Sequence, residues 1–262
     1  MSDYPATYGD VTVELLGDYV AALTIHRPPD NYFDLALIAS IAEALERLDT
    51  DDRCRAAVLR SEGKHFCAGA ALARHSGPEP ATATGRHLYD EAVRLFATKT
   101  PVVAALRGAA VGGGLGLALA ADFRVGSNES RLSANFARLG FHHGFGLTVT
   151  LPALIGPSKA ALMFYTSRRL GGEDALAIGL ADVLAPQDQV RGAALALAAE
   201  IAETGPLGLI ATRATVRGDI VDRVRAATER ELAEQMRLQK TDDFKEGVKA
   251  MAERRVPVFT NR

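Results

Sequence analysis

Apolar residues along this chain change their period several times, and each change marks an element. Val11, Val13 and Leu15, then Val20, Ala22, Leu23 and Ile25, alternate loosely about Gly17-Asp18, which predicts a starting strand pair. Arg27-Pro28-Pro29-Asp30-Asn31 cannot continue the second strand centrally, because two prolines remove ladder donors. After Asp34, the residues Leu35, Ile38, Ile41, Ala42, Leu45 and Leu48 recur at helical spacing. Ala56-Ala57-Val58-Leu59 and Val102-Val103-Ala104-Ala105-Leu106 are apolar runs of buried-strand type, with a helix marked by Leu88, Ala92, Leu95 and Phe96 between them. The stretch 76–85, rich in Pro and Gly, reads as a surface segment.

Residues 113–121 have no polar face, which suits a helix buried on all sides. Short strands are predicted at 122–125 and 131–133. Beyond about residue 145 helices dominate, over 148–155, 158–166, 173–178, 189–203, 207–216, 221–240 and 243–254. The pattern is an α/β core followed by a helical region, without repeats or a low-complexity linker.

Composition narrows the class. In 262 residues, 48% are hydrophobic, and 30 Lys+Arg against 32 Asp+Glu leave a net charge of -2, which is ordinary globular composition. No global basic footprint points to nucleic acid. The longest apolar stretch, 109–121, falls short of the roughly 20 residues a membrane span needs. The start lacks a basic and apolar leader, so the expected location is cytoplasmic, with Cys54 and Cys67 reduced.

Two glycine-containing segments each follow a predicted buried strand: His65-Phe66-Cys67-Ala68-Gly69-Ala70-Ala71-Leu72, and Gly108-Ala109-Ala110-Val111-Gly112-Gly113-Gly114-Leu115-Gly116. Glycine at a strand-to-helix turn allows close approach of a ligand to backbone N–H groups, and such a place favours an anion. Neither a Walker loop nor a G-x-G-x-x-G fingerprint is present. His65 and Cys67 invite a Cys/His nucleophile reading, set against that of an inert buried cysteine. The histidines lack partners at metal-ligand spacing, so no metal is expected.

These segments resemble motifs of the crotonase superfamily, the enoyl-CoA hydratase/isomerase family. Arg27-Pro28-Pro29-Asp30-Asn31 is similar to its early Arg-Pro loop, His65 to Leu72 to its Phe-Cys-Ala-Gly-Ala-Asp-Leu segment, and Gly108 to Gly114 to its Gly-x-x-x-Gly-Gly-Gly helix start. Leu176 to Leu184 and the tail from Asp243 to Phe259 resemble two later motifs in the same order. The resemblance implies an α/β fold of repeated ββα units in two roughly perpendicular sheets, a core over 1–200 holding the thioester site, and a helical oligomerisation region over 201–262. It implies a homotrimer or a hexamer of paired trimers, no prosthetic group, and coenzyme A as part of the substrate. Carried over by position, the N–H groups of Ala70 and Gly113 form an oxyanion hole for a thioester. CoA then lies along Pro29, Asp30, Asn31, Ala68, Ala70, Ala71, Leu72 and Gly113. Lys64, Lys245, Lys249 and Arg254 are candidates for its phosphates.

The chain departs from the family where hydration needs two glutamates. Gly116 and Phe136 stand at those positions, and neither can relay a proton. A third position that carries an aspartate in some members falls near Gly144. Beside it are His142 and His143, and His143, or secondarily His142, is a candidate to transfer a proton near neutral pH. The expected function is therefore an acyl-CoA lyase or isomerase that stabilises an enolate, with conventional hydration disfavoured. Decarboxylation, double-bond isomerisation and thioester hydrolysis are the alternatives, beside a non-catalytic subunit that binds CoA thioesters.

Overall fold

The structure is a computed structural model, which describes residues 6–70 and 86–262. Among these residues β1 (Thr7–Tyr8), β2 (Val11–Leu15) and β3 (Val20–Ile25) form an antiparallel meander. Asp34 then caps α1 (Leu35–Leu48), its carboxylate accepting from Leu37 N–H at 2.9 Å. β4 (Ala56–Ser61), α2 (Leu88–Ala97), β5 (Val102–Ala105), β6 (Ala109–Val111) and α3 (Gly113–Ala120) follow, then β7 (Phe123–Gly126) and β8 (Arg131–Ser133). A 3-10 turn at Asn135–Leu139 leads into α4 (Leu147–Ile155), α5 (Pro157–Thr166), α6 (Gly172–Ala177) and β9 (Val183–Leu184). The chain closes with α7 (Val190–Ala202), α8 (Pro206–Arg217), α9 (Ile220–Leu238) and α10 (Asp242–Ala252).

The strands make two sheets. Seven are ordered β1-β2-β3-β4-β5-β7-β9, parallel from β3 onward, and β6 pairs with β8 in a second, two-stranded sheet. The apolar runs have no alternation because both faces of the larger sheet are covered. Ala57, Leu59 and Ala104 face the main core with α1 and α2, while Ala56, Val58, Val103 and Val125 pack on Val190, Ala194, Ala198 and Ala202 of α7.

β1, β6 and β9 lie outside the strands that the apolar pattern marks. Each has two or three residues, and its place is set by a partner strand and not by its own alternation. Asp122 accepts from Val102 N–H at 2.8 Å and pairs with Arg213 and Arg217, so one carboxylate fixes a strand start and pins α8 to the core. No single helix is long and apolar enough to cross a membrane.

Candidate active site

The two glycine segments meet side by side. Cys67 and Ala110 form a parallel bridge, Cys67 N–H donating to Ala109 O at 3.0 Å and Val111 N–H to Cys67 O at 3.1 Å. Ala70 and Gly113 each stand three residues beyond the bridged pair, and each follows a glycine with positive φ: Gly69 at +115° and Gly112 at +58°. Only glycine adopts these conformations readily, so the glycines turn the backbone at equivalent points of adjacent segments. No backbone oxygen of the described residues accepts from the Ala70 or Gly113 N–H. The latter opens α3, where first-turn donors lack intrahelical partners and the helix dipole favours negative charge.

The rest of the triplet has separate reasons to be glycine. A Cβ at Gly113 would lie 2.4 Å from the Phe33 ring, and one at Gly114 would lie 2.3 Å from Cys67 O. The helix start and the Cys67 turn therefore approach as closely as backbone permits.

Ala70 and Gly113 open on a cavity of about 1050 Å³. Upstream of the paired donors its wall carries Asp30, His65, Ala68 and Arg131; downstream it carries Phe33, Phe136, Phe141, Phe145 and Phe244. The aromatic wall is ordered by ring contacts: Phe33 meets Phe145 edge-on at 5.6 Å, and Phe141 lies between Phe136 at 6.2 Å and Phe244 at 4.8 Å.

At the two positions where the resemblance expects carboxylates, rings take the space. A Cβ at Gly116 would lie 2.6 Å from Phe145 Cβ, and Phe136 itself lines the cavity. Gly144 is also closed, since a Cβ there would lie 2.0 Å from the Tyr89 hydroxyl.

The histidine pair is not on the cavity wall. His143 is buried, in contact with the Phe164 ring at 4.3 Å and the Phe136 ring at 5.3 Å, and its Nε2 lies 3.3 Å from Ala134 O. Burial lowers its pKa to about 4, so at neutral pH it is an uncharged ring packed behind Phe136. His142 turns its Nδ1 to His143 O at 2.7 Å. This placement departs from the expectation of a proton carrier in the cavity: the apolar ring face of His143 fits an aromatic cluster, which the sequence alone did not reveal.

The coenzyme A expectations divide. Asp30, Ala68, Ala70 and Gly113 line the cavity, as do Lys245 and Arg254 among the four basic candidates. Pro29 and Asn31 do not; Asn31 is fully buried, and its amide is consumed by Glu62 O at 2.7 Å, His65 O at 2.6 Å and Arg27 N–H at 3.0 Å. Ala71 and Leu72 lie outside the described residues. Cys67 is buried, and desolvation pushes its thiol up to about 12, which suits an inert side chain and not a nucleophile. Among the described residues no three His, Cys, Asp or Glu side chains stand together as a metal site.

Sequence reasoning missed the α2 wall. His87 caps α2, its Nδ1 accepting from Tyr89 N–H at 3.2 Å, and its ring lines the cavity. The Tyr89 hydroxyl donates to Gln235 Oε1 at 2.6 Å, and Gln235 Nε2 donates to His142 O at 2.9 Å, joining α2 to α9. His87 directly before the helical period was the one available signal, since an N-cap position favours a side-chain acceptor.

Two N–H groups without a backbone acceptor among the described residues, set above a largely apolar cavity, define an α/β protein suited to hold a small molecule through a carbonyl oxygen. The family model for enoyl-CoA hydratase/isomerase matches residues 17–262, and the chain belongs to that family. A probable enoyl-CoA hydratase of Bacillus subtilis is 30% identical over 245 residues, covering 92% of this chain and 95% of that protein. The (E)-benzylidenesuccinyl-CoA hydratase of Thauera aromatica is 33% identical over 254 residues, covering 95% and 98% respectively. An enoyl-CoA hydratase/isomerase structure from Pseudoalteromonas atlantica superposes with a TM-score of 0.87 at 29% identity, covering 96% of this chain and all of that one. The crotonase fold expected from the motifs is thus the fold observed.

Proposed function

We propose that the protein is an acyl-CoA enzyme that binds the thioester oxygen between the N–H groups of Ala70 and Gly113 and stabilises the enolate formed there, without the two-carboxylate hydration route. The observation that carries this reading is the Cys67–Ala110 bridge, which sets two glycine-turned donors side by side on one cavity. Fixed donors aimed at developing negative charge need no reorganisation during reaction. Asp30, Ala68 and the basic Lys245 and Arg254 support the placement of CoA along the same cavity.

Decarboxylation is the enolate reaction that the described wall favours. His65 and His87 both spend Nδ1 accepting a backbone N–H, from Ala109 at 3.1 Å and Tyr89 at 3.2 Å, so each neutral ring carries its proton on Nε2. Neither is then a base for a carbon-bound proton, and Asp30, the carboxylate among the described lining residues, stands beside His65, its Oδ1 3.8 Å from His65 Nε2, on the side of the cavity assigned to CoA. Loss of carbon dioxide leaves the bonding pair of the broken C–C bond on the enolate, the oxyanion donors hold its charge, and a proton taken up from solvent at the α-carbon completes the acyl-CoA product.

Incubating the full chain with a panel of acyl-CoA thioesters, malonyl-type and enoyl-type included, and following products by mass spectrometry tests the reading. Conversion of a thioester other than crotonyl-CoA is expected, while rapid loss of crotonyl-CoA enoyl absorbance would overturn the exclusion of hydration. Binding without any product would identify a CoA-thioester-binding subunit instead. Leu207 and Val216 on α8 are 84% and 80% exposed, which supports assembly as a trimer or hexamer, to be read by light scattering.

A further inference from the structure

We infer that the acyl group of the substrate carries a ring with a hydrogen-bond-accepting oxygen, a keto or hydroxyl group, and that His87 Nε2–H receives this oxygen. The inference rests on the acyl-CoA reading above and names the class of acyl group.

Position comes first. Tyr89 and Gln235 crowd Gly144, the residue before Phe145, and the Phe145 ring lies 3.6 Å from the Cβ position of Gly113. The α2 wall is therefore on the aromatic side of the donors, away from Asp30, His65 and Arg131. His87 belongs to that wall, with its ring 5.4 Å from the Tyr89 ring.

Hydrogen-bond accounting comes second. Tyr89 and Gln235 are closed onto each other and onto His142 O. His87 differs: its Nδ1 is committed to Tyr89 N–H, and no group among the described residues bonds its Nε2. Burial lowers its pKa, which favours the neutral ring with one fixed N–H. A ligand filling the cavity displaces water from this donor, and an acceptor oxygen on the ligand restores the bond that the water made. Phe33, Phe136, Phe141 and Phe145 supply ring faces to the wall, beside the aliphatic Leu88, Leu139, Leu232 and Met236, and a cyclic group on the substrate can stack on those faces.

The test uses the full chain and four thioesters in two pairs: phenylacetyl-CoA against 4-hydroxyphenylacetyl-CoA, and cyclohexylacetyl-CoA against its 4-oxo form. Calorimetry gives Kd for the wild type, His87→Asn and His87→Ser; Asn and Ser both keep an N-cap acceptor, so α2 stays capped while the Nε2–H is removed. The wild type should bind the oxygenated member of at least one pair about fivefold to tenfold more tightly, as one net hydrogen bond implies. Both variants should lose that preference while holding the unoxygenated member within about twofold. Equal affinity within both pairs, or a preference that survives in both variants, overturns the inference alone. Failure of all four thioesters and of free CoA to bind overturns the acyl-CoA reading and this inference with it.

Discussion

Phe145 occupies the space into which a side chain at position 116 would project. The two Cβ positions would stand 2.6 Å apart, and the ring atoms Cδ1 and Cγ lie at 2.9 Å. Phe145 holds this place with φ at +63°, a left-handed conformation that is costly for a bulky residue, while Gly146 beside it also turns at +72°. Gly116 and Phe145 are thus one feature: a residue without a side chain and the ring that fills the space beside it.

Gly116→Glu should therefore not create hydratase activity, and should destabilise the fold by about 2–4 kcal/mol through overpacking. Gly116→Glu with Phe145→Ala should recover part of that loss, giving a coupling energy of about 1 kcal/mol or more in a double-mutant cycle. Urea denaturation of the four proteins measures it, and strict additivity would show that the two positions do not share space.

The proposed role of the Gly113 N–H as an oxyanion donor can be tested apart from the crowding that any Cβ brings at this position. Gly113→Ala and Gly113→Pro both bring a Cβ to the Phe33 ring, but only Pro removes the N–H, and Pro is tolerated at the first helical position. With a thioester that the panel shows to be turned over, Pro should lower kcat at least about 100-fold below Ala. Equal rates for the two variants would remove Gly113 N–H from the reaction.

His143 makes stability depend on pH. Burial holds its folded pKa near 4, below the ordinary histidine value, so between these two values the unfolded chain binds the extra proton. Stability should then rise with pH across that window, level off above it, and fall by up to about 3 kcal/mol on acidification. His143→Gln should flatten this dependence and, if the ring only packs, leave turnover within about threefold. Denaturation at a series of pH values, beside kcat at pH 7.5, checks both halves. A strong loss of turnover with the fold intact would return His143 to the chemistry.

Legibility in the sequence followed how local each determinant is. Asp34 before a helical period predicts α1, and the α2 and α7–α10 periods predict their helices, because capping and amphipathicity are written in neighbouring residues. The glycine segments were readable for a similar reason: a turn requiring positive φ leaves a glycine in place. What could not be read depends on residues far apart in the chain. β6 is a strand through its pairing with Arg131–Ser133, and the lowered pKa of His143 comes from burial among rings such as Phe136 and Phe164. His87 lines the cavity because α2 lies beside α9, and Asn31, expected along CoA, faces the protein.

Asn31 ties the Arg-Pro loop to the turn that leads into the oxyanion segment, and its loss should be felt at both levels. Its backbone is left-handed, at φ +50°, which asparagine tolerates better than most residues. Its amide nitrogen donates to Glu62 O and His65 O, while its oxygen accepts from Arg27 N–H. Asn31→Gly keeps the conformation and removes all three bonds, leaving the Glu62 and His65 carbonyls without that donor, for a loss of about 1–3 kcal/mol. Asn31→Asp replaces the donor by a carboxylate facing two carbonyl oxygens, so it should be at least as damaging in spite of its shape. Because Ser61 Oγ still donates to His65 O at 2.9 Å, the turn should persist in Asn31→Gly, but with Ala70 less firmly placed. The expected signature is a fall in kcat larger than any rise in KM, since a misplaced donor weakens the transition state more than binding. A variant that is destabilised with kcat unchanged would confine Asn31 to holding the fold.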